Sequence, residues 1–283
     1  MPMTRRFKPI QAELPSPETI DAGELAGMFR DGITDLICVL GPTASGKTRY
    51  AVGLAKRIEE LSGLPCEIIS ADSRQIFRGM DIGTGKDLDE YGDIPYHLID
   101  ILPAGARYNV YRFQQDFLEA YRAIRERGAV PILCGGTGLY INAVINAYDF
   151  ASKTPLSAER DGNVAAEGFP SRTYVIGTLV DRETRNSRID ARLDARLREG
   201  MIDEIRSLLD GSSKGCEDGP VDAGTLISYG LEYKFVTLHL LGELSFDEMR
   251  VQLATAIHQF AKRQMTWFRG MERSGTRIHW TEA

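Results

Sequence analysis

The segment VLGPTASGKTRY, residues 39–50, constrains this chain more than any other. The apolar run DLICVL leads into it. A helical pattern of Tyr50, Leu54, Ile58 and Leu61 leads out, and Gly63 is placed to stop that helix. Gly41, Pro42, Thr43, Ala44, Ser45, Gly46, Lys47 and Thr48 complete the spacing G-x-x-x-x-G-K-[ST]. The glycines let backbone amides point inward at an anion, and the helix N-terminus adds its dipole. Lys47 supplies a point charge and Thr48 a hydroxyl suited to Mg2+. A strand, a tight turn and a helix in this order point to a parallel α/β sheet. The loop alone does not say whose phosphate it holds.

The rest of the chain carries the same pattern. CEIISA, VPILCGG and TYVIGTLV read as further buried strands. VYRFQQDFLEAYRAIRERG repeats the helix signal, with Phe113, Phe117, Tyr121 and Ile124 on one face. Strands alternating with helices predict a parallel sheet covered by helices on both faces. After residue 181 the pattern turns helical, and Ser245 with Glu248 predicts a capping box opening a long helix. The expected organisation is an N-terminal extension at 1–32 with one short helix and an α/β core at 33–148. A loop or shortened insertion at 149–172 follows, then the last core strand and a helical part at 173–283.

Composition narrows the function. Apolar residues make up 43 % of 283 residues, enough for a sizeable core. Cys38, Cys66, Cys134 and Cys216 form no CxxC or Cys/His cluster, which argues against a disulfide framework or a zinc site. The N-terminus lacks the apolar stretch of a secretory signal, and no apolar run approaches the ~20 residues of a membrane span. A cytoplasmic protein with no membrane partner is expected, and nothing demands more than a monomer. The net charge of −6 counts against a general nucleic-acid binder but permits a local basic face. The arginines between 182 and 206 alternate with acids and read as a solvated, ion-paired helix.

Three further stretches carry chemistry. SADSRQIFRGMDIGTGK, residues 70–86, places Asp72 directly after the second strand, at the sheet end that borders the first βα turn. A carboxylate there can hold hydrated Mg2+, take a proton from a substrate, or cap the next helix. CGGTGLY, residues 134–140, allows close backbone approach and aims Thr137 at the same crevice. QFAKRQMTWFRGMER, residues 259–273, interleaves basic residues with Phe260, Trp267 and Phe268. That pattern suits a nucleic-acid face, or core aromatics beside solvated charges. The four histidines make no ligand spacing.

Together GPTASGKT, ISADSRQIFRGMDIGTGK, PYHLIDI, PILCGGTGLY and FAKRQMTWFR resemble the signatures of the tRNA dimethylallyltransferases, also called tRNA isopentenyltransferases. The resemblance covers residues 34–148 and 174–280. It implies a P-loop NTPase-like fold whose loop grips the diphosphate of dimethylallyl diphosphate rather than ATP. The exocyclic amine of an adenine beside the tRNA anticodon then attacks the allylic carbon. The resemblance implies Asp72 as general base, Thr137 near the same amine, and Lys47 with Mg2+ at Thr48 against the developing charge. It implies Arg192 on the diphosphate, Ser73, Gln75 and Lys86 on the adenine or RNA side, and Lys262, Arg263 and Gln264 facing RNA.

Three departures stand out. Residues 149–171 cannot hold the family's helical insertion, which grasps the anticodon stem-loop. The Ile-Gly-Tyr-Lys motif appears as SYGLEYKF, with Gly230 and Lys234 displaced. An N-terminal extension precedes the strand that usually begins the chain. The first departure keeps an adenylate isopentenyltransferase acting on AMP, ADP or ATP as an alternative. A small-molecule P-loop kinase or a non-catalytic RNA-binding scaffold explains fewer of the motifs.

Overall fold

The computed structural model describes residues 14–149, 154–155 and 168–283. The chain runs α1 (Ala22–Arg30), β1 (Leu36–Leu40), α2 (Lys47–Ser62), β2 (Cys66–Ser70), β3 (Tyr96–His97), α3 (Val110–Glu126), β4 (Val130–Gly135) and α4 (Gly138–Ile145). It continues with β5 (Tyr148–Asp149), β6 (Thr154–Pro155), β7 (Thr173–Leu179), α5 (Arg182–Arg198), α6 (Met201–Asp210), α7 (Ala223–Tyr229), α8 (Leu231–Leu240), α9 (Phe246–Arg273) and β8 (Ile278–Glu282).

Six strands form one sheet in the order β3-β2-β4-β1-β7-β8, every neighbour parallel. β1, β2 and β4 are buried at every position, as their near-continuous apolar runs demand when helices cover both faces. Alternate residues of β1 divide between two cores. Leu36, Cys38 and Leu40 join Phe113, Phe117, Leu253 and Phe268 of the helices on one face. Ile37 and Val39 join Leu25, Ala55 and Ile58 of α1 and α2 on the other. α1 therefore completes the second core. Just before it, the Glu18 amide donates to the Trp280 carbonyl at 2.6 Å, tying this stretch to β8.

The C-terminal strand β8 escaped the sequence pattern, which ended in the long helix. Its signal is only the alternation of Ile278 and Trp280, both buried. Gly177 of β7 leaves the room: a Cβ there would overlap the Trp280 ring. The helix ends follow local rules. Gly63 ends α2 at φ 71°, and the capping box of α9 is complete, with Ser245 N donating to Glu248 Oε2 at 2.9 Å. Most of the expected loop or insertion at 149–172 lies outside the described residues. At its start Tyr148–Asp149 pairs antiparallel with Thr154–Pro155.

The loops that follow β1, β2, β4 and β7 leave the sheet at one end. The phosphate loop, the Asp72 loop and the Thr137 loop are carried there, and FAKRQMTWFR lies on α9.

Candidate active site

Gly41 begins the loop after β1. A Cβ on it would overlap the Thr178 hydroxyl and come within 2.5 Å of Ser45 Oγ, so only glycine fits. Those two hydroxyls share a 2.7 Å hydrogen bond that pins the loop to β7. Ala44 (φ 60°) and Gly46 (φ 81°) both adopt left-handed backbone. Interruptions of this kind turn successive N–H groups into one concavity, a ready anion cradle at the start of α2. Burial pushes the Lys47 ammonium below the ordinary lysine range, while the neighbouring Cys134 and Asp72 oppose the shift.

Asp72 leaves β2 half-buried in the same crevice, its Oδ1 accepting from the Arg74 amide at 3.0 Å. Thr137 holds this loop from across the β2–β4 pair. Its Oγ1 accepts from the Ser73 amide at 3.1 Å, and its own amide donates to the Ala71 carbonyl at 3.1 Å. The glycines around Thr137 do permit close approach, but to the chain itself. A Cβ on Gly135 would overlap the Ala71 carbonyl, one on Gly136 the Gln264 amide, and one on Gly138 the Trp267 indole.

The third wall is α5. Arg188, Arg192 and Arg196 stand at i, i+4 and i+8 on one helix face and all line the crevice. Arg188 is exposed, Arg192 half-buried and Arg196 buried. Arg192 Nη2 donates to Asp87 Oδ2 at 2.9 Å and to the Gly85 carbonyl at 3.4 Å. Gln75 Nε2 reaches the same carbonyl at 3.3 Å. Arg196 faces the buried Glu232 at 3.7 Å, and Arg74 takes the other Glu232 oxygen at 2.5 Å. The solvated-helix reading of this segment is thus corrected for Arg185 and Arg196, each only 9 % exposed. Their side chains fall on the inward stripe of α5 with Ile189 and Leu193.

Two cavities meet at the β2 loop. The crevice of about 560 Å³ is lined by Lys47, Thr48, Asp72, Gln75, Arg192 and their neighbours. A second cavity of about 750 Å³ is lined by Ser73, Arg74, Tyr108, Tyr140 and Tyr229. Consecutive residues, Asp72 and Ser73, belong to one cavity each.

Two expected RNA-side residues are placed elsewhere. Lys86 is buried, its Nζ donating to the Phe77 carbonyl at 2.5 Å and to Asp81 Oδ1 at 2.9 Å, with Asp100 as a third partner. A desolvated ammonium already given three oxygens holds the 77–86 loop together and has no face for a ligand. Gln264 is buried too. Its Oε1 accepts from the Thr43 amide at 2.8 Å and its Nε2 donates to the Gly136 carbonyl at 2.9 Å, so it clamps the two loops to each other. Lys262 and Arg263 are exposed on α9, and Arg263 lies over the Phe260 ring at 5.9 Å. Trp267 is 43 % exposed whereas Phe268 is core. The displaced motif turns Lys234 outward and Glu232 inward, because Gly230 (φ 75°) breaks α7 from α8.

Sequence reasoning missed Glu204 and Glu232. Glu204 accepts from the amides of Asp81, Ile82 and Gly83 and from the Tyr233 hydroxyl at 2.6–3.0 Å, holding the DIGTG turn. Only the 188/192/196 spacing was a legible clue to Arg196.

Among the described residues no group of three or more His, Cys, Asp or Glu is placed to hold a metal by itself. Thr48 and Asp72 nevertheless offer hard oxygen donors in one crevice, the chemistry Mg2+ takes when it shares its shell with phosphate and water. Among the described residues no helix is long and apolar enough to cross a membrane.

The chain matches the IPP transferase family model over residues 75–167 and 150–271. It is 46 % identical to tRNA dimethylallyltransferase 1 of Parabacteroides distasonis, over 88 % of this chain and 92 % of that protein. It is likewise 46 % identical to tRNA dimethylallyltransferase 2 of Porphyromonas gingivalis, over 88 % and 94 %. The first alignment runs over 298 residues, longer than this chain, so the relative carries residues for which this chain has none. Among solved structures it resembles the tRNA isopentenylpyrophosphate transferase of Bacillus halodurans, with TM-score 0.69 at 30 % identity, over 87 % of this chain and 89 % of that one. A eukaryotic dimethylallyltransferase acting on tRNA shares the fold, with TM-score 0.67 at 19 % identity, over 87 % of this chain and 74 % of that one. The parallel sheet, the loop at 41–48 and the extent of these matches agree, and the chain belongs to the tRNA dimethylallyltransferase family.

Proposed function

We propose that this protein transfers a dimethylallyl group from dimethylallyl diphosphate to the exocyclic amine of an adenine beside the anticodon of tRNA, releasing diphosphate. The observation that carries this reading is the pair of cavities meeting at Asp72 and Ser73. One is walled by cations and a phosphate loop, as an anionic leaving group requires. The other is rimmed by Tyr108, Tyr140 and Tyr229, whose flat apolar rings suit a nucleobase.

In the donor crevice the amides of residues 41–48, Lys47 and Arg192 hold the diphosphate and meet the charge that builds as the allylic C–O bond breaks. One preorganised donor of this kind is worth about 3–4 kcal/mol at the transition state. Mg2+ would be held at Thr48 and would neutralise part of that charge when bound. Asp72, at the junction, takes the proton that the adenine amine loses as its nitrogen bonds to carbon. Such a base is worth about 10²–10⁴-fold in rate. Thr137 fixes the Asp72–Ser73 loop. Gln75, whose side chain lies between Ser70 and Gly85, lines the donor crevice rather than the aromatic cavity. On α9 the exposed Lys262 and Arg263 offer the phosphate contacts that position an RNA. Four free cysteines suit the reducing cytoplasm where tRNA is modified. The free-nucleotide acceptor gains nothing from the comparisons, whose named relatives are tRNA enzymes.

The test is an acceptor competition. Protein, Mg2+ and labelled dimethylallyl diphosphate are offered unmodified tRNA and AMP in one tube. Label in tRNA is expected. Label only in AMP would replace the acceptor, and label in neither would overturn the prenyl-transfer reading.

A further inference from the structure

Arg196 is not used by the chemistry above. It is 9 % exposed, lines the donor crevice, and its Nη2 has no hydrogen-bond partner. Its ion pair with Glu232 is long at 3.7 Å, and the shorter bond to Glu232, at 2.5 Å, belongs to Arg74. A buried guanidinium with an unpaired N–H is costly unless an acceptor arrives. Arg192 adds to the cost. The Nη2 atoms of both arginines crowd the α-carbon of Gly85, where a Cβ would overlap both. Burial pushes Arg196 down to about 10, and the neighbouring Arg192 charge pushes the same way. Glu232 and Asp87 offset this only in part, and the Asp87 carboxylate is itself bonded to Arg192 at 2.9 Å. A buried and a half-buried guanidinium side by side on the crevice wall, the buried one with an unpaired donor, make a fork for an anion with several oxygens.

We infer that Arg196 is a second guanidinium ligand of the leaving diphosphate, its Nη2 donating to a phosphate oxygen beside Arg192. Glu232 keeps the side chain in place without consuming that donor, since its closer bond is to Arg74. This inference rests on the prenyl-transfer reading, and the two fail separately.

The experiment measures inorganic diphosphate binding by calorimetry in Mg2+, with wild type, Arg196→Met and the double variant Arg196→Met/Glu232→Gln. A lost charge-assisted hydrogen bond weakens binding by about ten- to a hundredfold. That loss is expected in both variants. Glu232 keeps its 2.5 Å bond to Arg74 in Arg196→Met, and the amide oxygen that Glu232→Gln leaves in the double variant can still accept from Arg74, so the double variant keeps the test open if the single variant misfolds. Wild-type affinity in both variants would overturn the inference and leave the prenyl-transfer reading standing. Recovery of affinity in the double variant would also overturn it, reducing Arg196 to a counter-ion of Glu232. No binding by wild type would overturn both.

Discussion

Gln264 donates from Nε2 to the carbonyl of Gly136 at 2.9 Å, joining residues 128 apart in sequence. The other end of the same amide accepts from Thr43, so one side chain sets the spacing between the phosphate loop and the Thr137 loop. Gln264→Ala leaves a buried carbonyl and an amide unpaired. It should cost about 2–3 kcal/mol, read from urea unfolding, with a fall in turnover as the loops loosen. A loss under about 0.5 kcal/mol would mean that water replaces the clamp.

Asp72→Asn keeps the shape and the bond to the Arg74 amide but removes the base. Single-turnover prenyl transfer should slow by about 10²–10⁴-fold, while inorganic diphosphate still binds. Transfer at the wild-type rate would take Asp72 out of the proton path.

Lys86 gives the opposite signature. Its ammonium is fully enclosed, although Asp81 is exposed, so Lys86→Met should destabilise by about 2–3 kcal/mol rather than the full cost of breaking a buried pair. tRNA affinity per folded molecule should stay unchanged across a salt titration. A selective loss of affinity, or a shallower salt slope, would return Lys86 to the RNA face.

Acid should find Glu67. Arg127 grips its carboxylate with two hydrogen bonds at 2.8–2.9 Å, and His97 approaches at 2.6 Å. The Arg127 hydrogen bonds hold the carboxyl below the ordinary glutamate range, against the opposing effect of burial. A folded-state value below the unfolded one means stability present above the ordinary range and lost as pH falls through the folded value. The wild-type melting temperature should therefore drop more between about pH 6 and about pH 3 than that of Glu67→Gln. Parallel curves would show that the pair contributes nothing to acid sensitivity.

Local chemistry made much of this protein legible. The strands β1, β2, β4 and β7 could be read because full burial leaves little but apolar residues in them. The phosphate loop could be read because its glycines answer to backbone geometry, and the capping box because its partners lie three residues apart. β3 could not, since two residues carry no period, and β8 could not, since this edge strand mixes buried Ile278 and Trp280 with His279 and Thr281 instead of forming an apolar run.

The sequence by itself determined the parallel α/β sheet, the anion loop at 41–48 and the family. Only the tertiary structure decided which charged residues face a ligand. Lys86 and Gln264 sit inside signature stretches and are consumed by the chain's own carbonyls, carboxylates and amides. Arg196 sits in a run that reads as solvated and is buried with a donor to spare. The reason is physical. A motif specifies the residue types a site needs, but whether a polar group is free or already satisfied depends on partners brought from distant parts of the chain.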